Sequence, residues 1–406
     1  MVDGVSDAER TPPLLAGITV LEFCWTLPGP YCGKILADLG ARVIKIEPPE
    51  TGDSLRELMP SMFEVFNEGK ESVTLDLKNP LAPEVLSALF RNADVILEGF
   101  RPGVAARLGI DWPSARIANA GLVFCSISGF GQNGSLSEQA GHDANYAAAS
   151  GILGPAAQRS GVPHMPPVPM GDLAAGAIAT ISVLASLHRR DVTGVGLFCD
   201  VAITDVLGAW AAAKASDILV TGVMPEASVQ QPPTHGIYLA SDGRYLALGA
   251  IENHFWERMC SVVDRPDWAL RDDLSTNIGR SLAAEEIADV LREVFLTDAA
   301  QGWVDRLVAA DVPATVVLDM SEAVNSELFR TRRIYEANVG VPAWSVGFPA
   351  VIDGNLMRAN SPAPQLGRHT STVLTEFGCS REQMETWEEQ GVFGKIPATS
   401  GEGRTR

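Results

Sequence analysis

Ile18-Thr19-Val20-Leu21-Glu22-Phe23 and Arg42-Val43-Ile44-Lys45-Ile46 are two short β-prone runs separated by a helical stretch that begins after Pro30. The alternation continues with apolar runs at 73–77, 95–97 and 122–127 and a helical pattern near 83–90. Strands separated by helices imply a parallel sheet covered on both faces, an α/β domain. Working outward, the Pro-rich stretch 162–169 reads as a loop leading into a helix that opens at Gly171-Asp172. An Ala-rich helix at 201–219 then runs into a Pro/Gln/Thr segment, 229–234, with the character of a domain junction. A second unit follows, with a strand at Gly243-Arg244-Tyr245-Leu246-Ala247-Leu248-Gly249 and helices around 283–295 and 299–310. Short strands return near 344–352, so the tail is expected to fold back onto the first domain.

Of 406 residues, 46% are hydrophobic and 20% charged, enough to bury a large core. Fifty acidic side chains against 31 basic ones give a net charge of −19, which argues against a nucleic-acid surface and against an anionic membrane partner. Any phosphate group it binds needs a local cationic pocket. The six cysteines (24, 32, 125, 199, 260 and 379) show no metal-ligand or CxxC spacing and read as reduced, mostly buried thiols. With no basic-then-apolar leader and no peroxisomal tripeptide in Gly403-Arg404-Thr405-Arg406, the expected compartment is the cytoplasm. The uncharged run 173–187 is too short at fifteen residues to span a bilayer. It reads as a buried helix, with Asp172 at its positive end and His188-Arg189-Arg190 at its negative end.

Thirty positions separate His142, in Gly141-His142-Asp143-Ala144-Asn145-Tyr146, from Asp172, in Pro169-Met170-Gly171-Asp172-Leu173. Each lies beside glycine at the edge of an element, and together they could offer a proton acceptor and a proton donor to two faces of one carbon. Taken singly, His142 reads as a capping or hydrogen-bonded structural histidine and Asp172 as a helix N-cap. Glu252, between a strand and a helix pattern, is equally a cap or a carboxylate that works with a histidine. Gly129-Phe130-Gly131-Gln132-Asn133-Gly134 matches GxGxxG after a predicted strand, but no helix pattern or acidic ribose ligand follows it, so it reads as a tight loop shaping a cleft. No GxSxG, Walker A or HExxH motif occurs, which places hydrolase, NTPase and zinc chemistry low.

Several motifs taken together resemble the family III CoA-transferase superfamily, in its CaiB/BaiF-like form. They are Leu15-Ala16-Gly17-Ile18-Thr19-Val20-Leu21-Glu22, Pro28-Gly29-Pro30, Leu36-Ala37-Asp38-Leu39-Gly40-Ala41-Arg42-Val43-Ile44-Lys45-Ile46-Glu47, Ala93-Asp94-Val95-Ile96-Leu97-Glu98-Gly99-Phe100-Arg101-Pro102-Gly103 and Ser126-Ile127-Ser128-Gly129-Phe130-Gly131-Gln132. A weaker match, Ser361-Pro362-Ala363-Pro364-Gln365-Leu366-Gly367-Arg368-His369-Thr370, lies near the C-terminus. The resemblance implies a Rossmann-like large α/β domain (13–200 with 336–406), a linker helix and junction (201–234), a smaller α/β domain (235–335) and an interlocked homodimer. Residues 1–12 are expected to be a flexible tail. It implies an acyl-CoA thioester substrate, with no cofactor beyond the CoA moiety and no metal, and CoA contacts at Arg42, Lys70, Phe100 and Arg101. Arginine binds phosphate by paired hydrogen bonds and lysine as a point charge. Glu68 and the run Thr193-Gly194-Val195-Gly196-Leu197 depart from the family's usual residues.

Within the superfamily Asp172 corresponds to the aspartate that transferases use as a nucleophile, forming a mixed anhydride. The Gly-His-Asp-x-Asn-Tyr form and Glu252 in Gly-x-Ile-Glu are similar to the alpha-methylacyl-CoA racemase branch. The implied reaction is 1,1-proton transfer at the carbon alpha to the thioester, with His142 held by Glu252, Asp172 on the opposite face, and the enolate oxygen met by main-chain N–H groups at the start of the Asp172 helix. The alternatives are CoA transfer through Asp172 as nucleophile and a non-catalytic acyl-CoA-binding paralogue.

Overall fold

The computed structural model describes residues 13–154, 162–223, 232–337, 344–359 and 361–394. The expected tail, 1–12, and the first half of the expected junction at 229–234 lie outside the described residues. The chain divides into two units: 1–214 with 330–406, and 215–329.

The first unit is built on six parallel strands: β1 (Thr19–Phe23), β2 (Arg42–Glu47), β3 (Lys70–Thr74), β4 (Val95–Glu98), β5 (Val123–Ser128) and β6 (Phe198–Ala202). Their spatial order is β3-β2-β1-β4-β5-β6, the doubly wound arrangement in which the chain reverses direction across the sheet between β1 and β4. Alternation along each strand feeds two cores. Leu21, Phe23, Ile44, Ile46, Ile96 and Phe124 face the helix Ala82–Arg91 and the returning segment with Val373, Leu374 and Phe393. Val20, Val43, Val95, Leu97, Val123 and Ile127 face the helices Pro28–Asp38 and Met170–Thr193.

The helix Met170–Thr193 has 24 residues, because the basic cluster expected to bound the apolar run continues it for a further turn and a half. By length and composition it would cross a membrane. What identifies it as a core helix is its packing: Ala174, Ala175, Ala179, Val183 and Leu187 are buried against the sheet. Gly176 lets it approach the helix Pro28–Asp38, since a Cβ there would stand 2.6 Å from the Pro28 carbonyl oxygen. Gly194, at φ +71°, ends it in the left-handed conformation glycine adopts without cost. β6 is absent from the sequence reading. It is an edge strand of five residues, partly exposed and interrupted by Asp200, and its last two residues overlap the start of the expected helix at 201–219, which is observed at Ile203–Thr221.

The second unit is a mixed α and β fold of its own. β7 (His235–Leu239), β8 (Tyr245–Gly249) and β9 (Ala314–Val316) form an antiparallel sheet. The helices Asn253–Val262, Ala284–Phe295 and Ala300–Ala309 supply its core with Trp256, Leu291, Phe295 and Leu307.

Candidate functional site

His142 and Asp172 both belong to the first unit, and Asp143 joins their helices. Asp143 is the first residue of the short helix Asp143–Ala149. Its Oδ1 accepts the main-chain N–H of Gly171 at 2.7 Å and of Asp172 at 3.1 Å. Pro169, at the cap position of the Asp172 helix, has no side-chain acceptor to offer, and the free N–H groups of a helix start need one. Asp143 therefore performs the capping that the sequence reading gave to Asp172, and Asp172 sits in the first turn with its carboxylate free for chemistry.

The same bonds correct a second expectation. The Gly171 and Asp172 N–H groups are taken by Asp143, and the Leu173 N–H donates to the Pro169 carbonyl, so this helix start does not present those donors to an enolate oxygen.

His142 occupies the cap position of its helix with an exposed side chain. Its main chain is fixed from both sides: its N–H donates to Asn145 Oδ1 at 3.0 Å and its carbonyl accepts from the Asn145 N–H at 2.8 Å. The imidazole is thus carried on a rigid backbone and faces solvent. One turn on, Tyr146 is buried against Phe130 with ring centroids 5.2 Å apart, and its hydroxyl donates to the Gly141 carbonyl. Glycine is required at 129 because a Cβ there would lie 2.2 Å from the Tyr146 ring.

Asp172 is partly buried, and its carboxyl is pushed up to about 7, first by loss of water and second by the negative charge of Asp143. The Tyr146 hydroxyl is raised by burial and then by the Asp172 charge, while the Arg101 guanidinium opposes the rise. Arg101, exposed beyond the end of β4, thus belongs to the same electrostatic neighbourhood. Beside it, Phe100 packs edge to face with Trp25, centroids 5.3 Å apart.

The remaining residues of interest lie elsewhere. Arg42 opens β2 at the amino end of the parallel strands, opposite the carboxyl end where β4 delivers Phe100 and Arg101, and its guanidinium pairs with Glu71 at 2.8 Å and Glu376 at 2.6 Å. Lys70 is fully shielded from solvent. Its ammonium donates to Glu22, the Pro30 carbonyl and Asn67, which uses its three N–H groups. Burial lowers it to about 8. Glu68, the departure from the family pattern, is buried, and its carboxylate accepts from Ser345 Oγ at 2.8 Å and lies 3.5 Å from Lys34. Glu252 belongs to the second unit, where it is exposed and caps the helix Asn253–Val262 by position. The glycine run after β5 does not open a helix: residues 129–142 form turns and bends before the helix at Asp143.

Sequence reasoning assigned no role to Asp143 or Tyr146. The available signal was their spacing, first and fourth residues of a helix that starts immediately after His142.

The sequence model of CoA-transferase family III matches residues 15–370. The chain is 29% identical to alpha-methylacyl-CoA racemase of Homo sapiens over 384 residues, covering 91% of this chain and 95% of that one. It is 28% identical to the succinate–glutarate CoA-transferase of Agrobacterium fabrum over 392 residues, covering 92% and 98%. A solved CAIB/BAIF family protein from Brucella suis superposes with a TM-score of 0.80 at 26% identity, covering 91% of this chain and all of that one.

Proposed function

The chain belongs to CoA-transferase family III, and on that premise we propose that it interconverts the 2R and 2S epimers of a 2-methyl-branched acyl-CoA by 1,1-proton transfer. The observation that supports this reading is the Asp143 link, which ties the residue after His142 to the first turn holding Asp172 and so joins the two helices that carry the candidate proton carriers. In the proposed reaction one group takes the α-proton, leaving a thioester enolate, and the other, protonated, returns a proton to the opposite face. The opposite enantiomer reverses the roles. A carboxyl raised to about 7 suits this work, because a group that titrates near the working pH can both give and accept a proton. A positioned acid or base typically contributes about 10²–10⁴-fold, so the enolate oxygen also needs hydrogen-bond donors, and these are sought outside Gly171 and Asp172.

The proposal includes a homodimer and no cofactor beyond the CoA moiety of the substrate. Trp210, Leu219 and Val220, exposed on the helix Ile203–Thr221, support a second copy as its cover.

A second reading is favoured by the relatives, which include CoA-transferases as well as racemases. In it Asp172, ionised, attacks a thioester carbonyl, the carbon–sulfur bond breaks with CoA leaving as its thiolate, and a mixed anhydride forms. The test is mass spectrometry of a single-enantiomer 2-methylacyl-CoA incubated in D2O with and without a free carboxylate acceptor. Deuterium at the α-carbon with formation of the other epimer, independent of acceptor, is the expected result. Movement of CoA to the acceptor without deuterium uptake overturns the racemase reading in favour of transfer, and conversion of the Asp172 side chain to its hydroxamate by hydroxylamine during turnover would identify the nucleophile.

A further inference from the structure

In a doubly wound sheet the loops leaving the carboxyl ends of the two strands at the reversal point diverge, and the crevice between them is where ligands bind. Here the strands are β1 and β4, and each delivers one aromatic residue, Trp25 and Phe100. The rings meet edge to face, 5.3 Å between centroids with an interplanar angle of 83°. Trp25 remains 36% exposed, so part of the indole is open to solvent.

The backbone that carries Trp25 is held against its own preference. Thr26 adopts φ +70°, a region that β-branched residues avoid and that occurs mainly where surrounding structure enforces it, often at functional sites. The enforcing groups are buried ions. Lys45 Nζ donates to the Cys24 carbonyl at 2.8 Å, Asp53 Oδ1 accepts the Thr26 N–H at 3.2 Å, and Lys45 and Asp53 are paired at 2.9 Å with both side chains fully shielded from solvent. Across the crevice, the buried Glu98 accepts the Phe100 N–H at 2.8 Å. Desolvating three ionisable groups is costly, and here each makes a hydrogen bond to the main chain of Phe100 or of a residue flanking Trp25.

The turn also borders the chemistry. Two residues after Thr26 the Pro28 carbonyl packs against Gly176, one helical turn beyond Asp172.

We infer that Trp25 selects the acyl group: its exposed indole, in contact with Phe100, takes the branched hydrocarbon next to the reacting carbon, and Lys45 and Asp53 are positioning residues that hold it there. The inference rests on the acyl-CoA reading proposed above. Its test is calorimetric titration of the wild type, Trp25→Ala and Trp25→Phe with CoA alone and with a non-reactive thioether analogue of a 2-methyl-branched acyl-CoA. Trp25→Ala is expected to weaken the thioether about tenfold and CoA less than about twofold, with Trp25→Phe recovering most of the loss. Equal thioether affinity in Trp25→Ala and wild type overturns the inference, and so does an equal loss for both ligands. Should Trp25→Ala fail to fold, Trp25→Leu against Trp25→Phe makes the same comparison. For the positioning residues, Asp53→Asn is expected to raise KM for the branched thioester with kcat little changed, and a fall in kcat alone would remove that role. A wild type that binds neither ligand overturns the acyl-CoA reading itself, whereas binding without discrimination at Trp25 overturns this inference alone.

Discussion

Asp143 accepts the main-chain N–H of Asp172 at 3.1 Å, so one carboxylate caps the helix whose first turn carries the other. The capping charge also raises the Asp172 carboxyl, second to burial. Asp143→Asn keeps an oxygen for the two N–H groups and removes the charge. The Asp172 carboxyl is therefore expected to titrate lower in the variant while staying above the ordinary range, because burial remains. Carbon-13 NMR titration of the Asp172 carboxyl reads this directly, and an unmoved midpoint would show that the Asp143 charge does not act on it.

Protonation of Asp172 is coupled to stability. Its carboxyl sits near 7 in the folded chain against about 4 in the unfolded chain, so the folded state holds this proton more tightly. The stabilisation is complete below about pH 4 and is lost as pH rises through about 7. Asp172→Asn escapes that loss. The variant is expected to gain on the wild type between about pH 4 and pH 8 by on the order of 2 kcal/mol, after discounting for the solvent that still reaches the group. Urea unfolding at both ends of the window measures it, and a gap that does not widen with pH refutes the shift.

His142→Ala and Asp172→Ala remove one proton carrier each. Loss of a positioned acid or base is expected to cost about 10²-fold or more in epimerisation. CoA affinity is expected to stay within a few-fold, because neither residue is assigned to the nucleotide. Chiral chromatography of the CoA ester and direct CoA titration separate the two effects, and unchanged turnover in either variant takes that residue out of the mechanism.

The apolar runs made β1, β2, β4 and β5 legible, because strands buried on both faces read as near-continuous hydrophobic stretches, whereas the run at 73–77 meets β3 only at Val73 and Thr74, since Lys70, Glu71 and Ser72 are polar. β6 escaped because an edge strand needs less apolar character and Asp200 breaks the run. In the second unit only β8 stood out: β7 begins His235-Gly236 and exposes alternate residues, and β9 has three residues. His142 and Asp172 were legible as residue types at element edges, and the structure links their helices. Asp143 as the actual cap was not, since its partner lies 28 positions away and only tertiary packing brings them together. Nor was the burial of Lys70 against Glu22 legible, since it depends on Gly33, where a Cβ would lie 2.0 Å from Glu22 Oε2.

Glu22 holds two buried ammonium groups at once, Lys45 at 2.9 Å and Lys70 at 2.7 Å, and none of the three side chains is open to solvent. Removing one partner of a buried ion pair strands the other charge, so Glu22→Leu is expected to cost about 3–5 kcal/mol. Lys70 is already lowered to about 8 by burial, with the Glu22 charge opposing the fall, and losing Glu22 lowers it further. In the window between the variant's lower value and about 8, the variant has shed a proton that the wild type keeps, while the unfolded lysine keeps its proton in both. Variant stability therefore rises with pH through that window and wild-type stability does not, so the deficit narrows as pH approaches about 8. Pairing Glu22→Leu with Lys70→Met removes one stranded charge and should return part of the loss, a coupling that a double-mutant cycle measures in urea unfolding. A Glu22→Leu deficit below about 1 kcal/mol that is flat with pH would mean that water or another carboxylate compensates the two lysines.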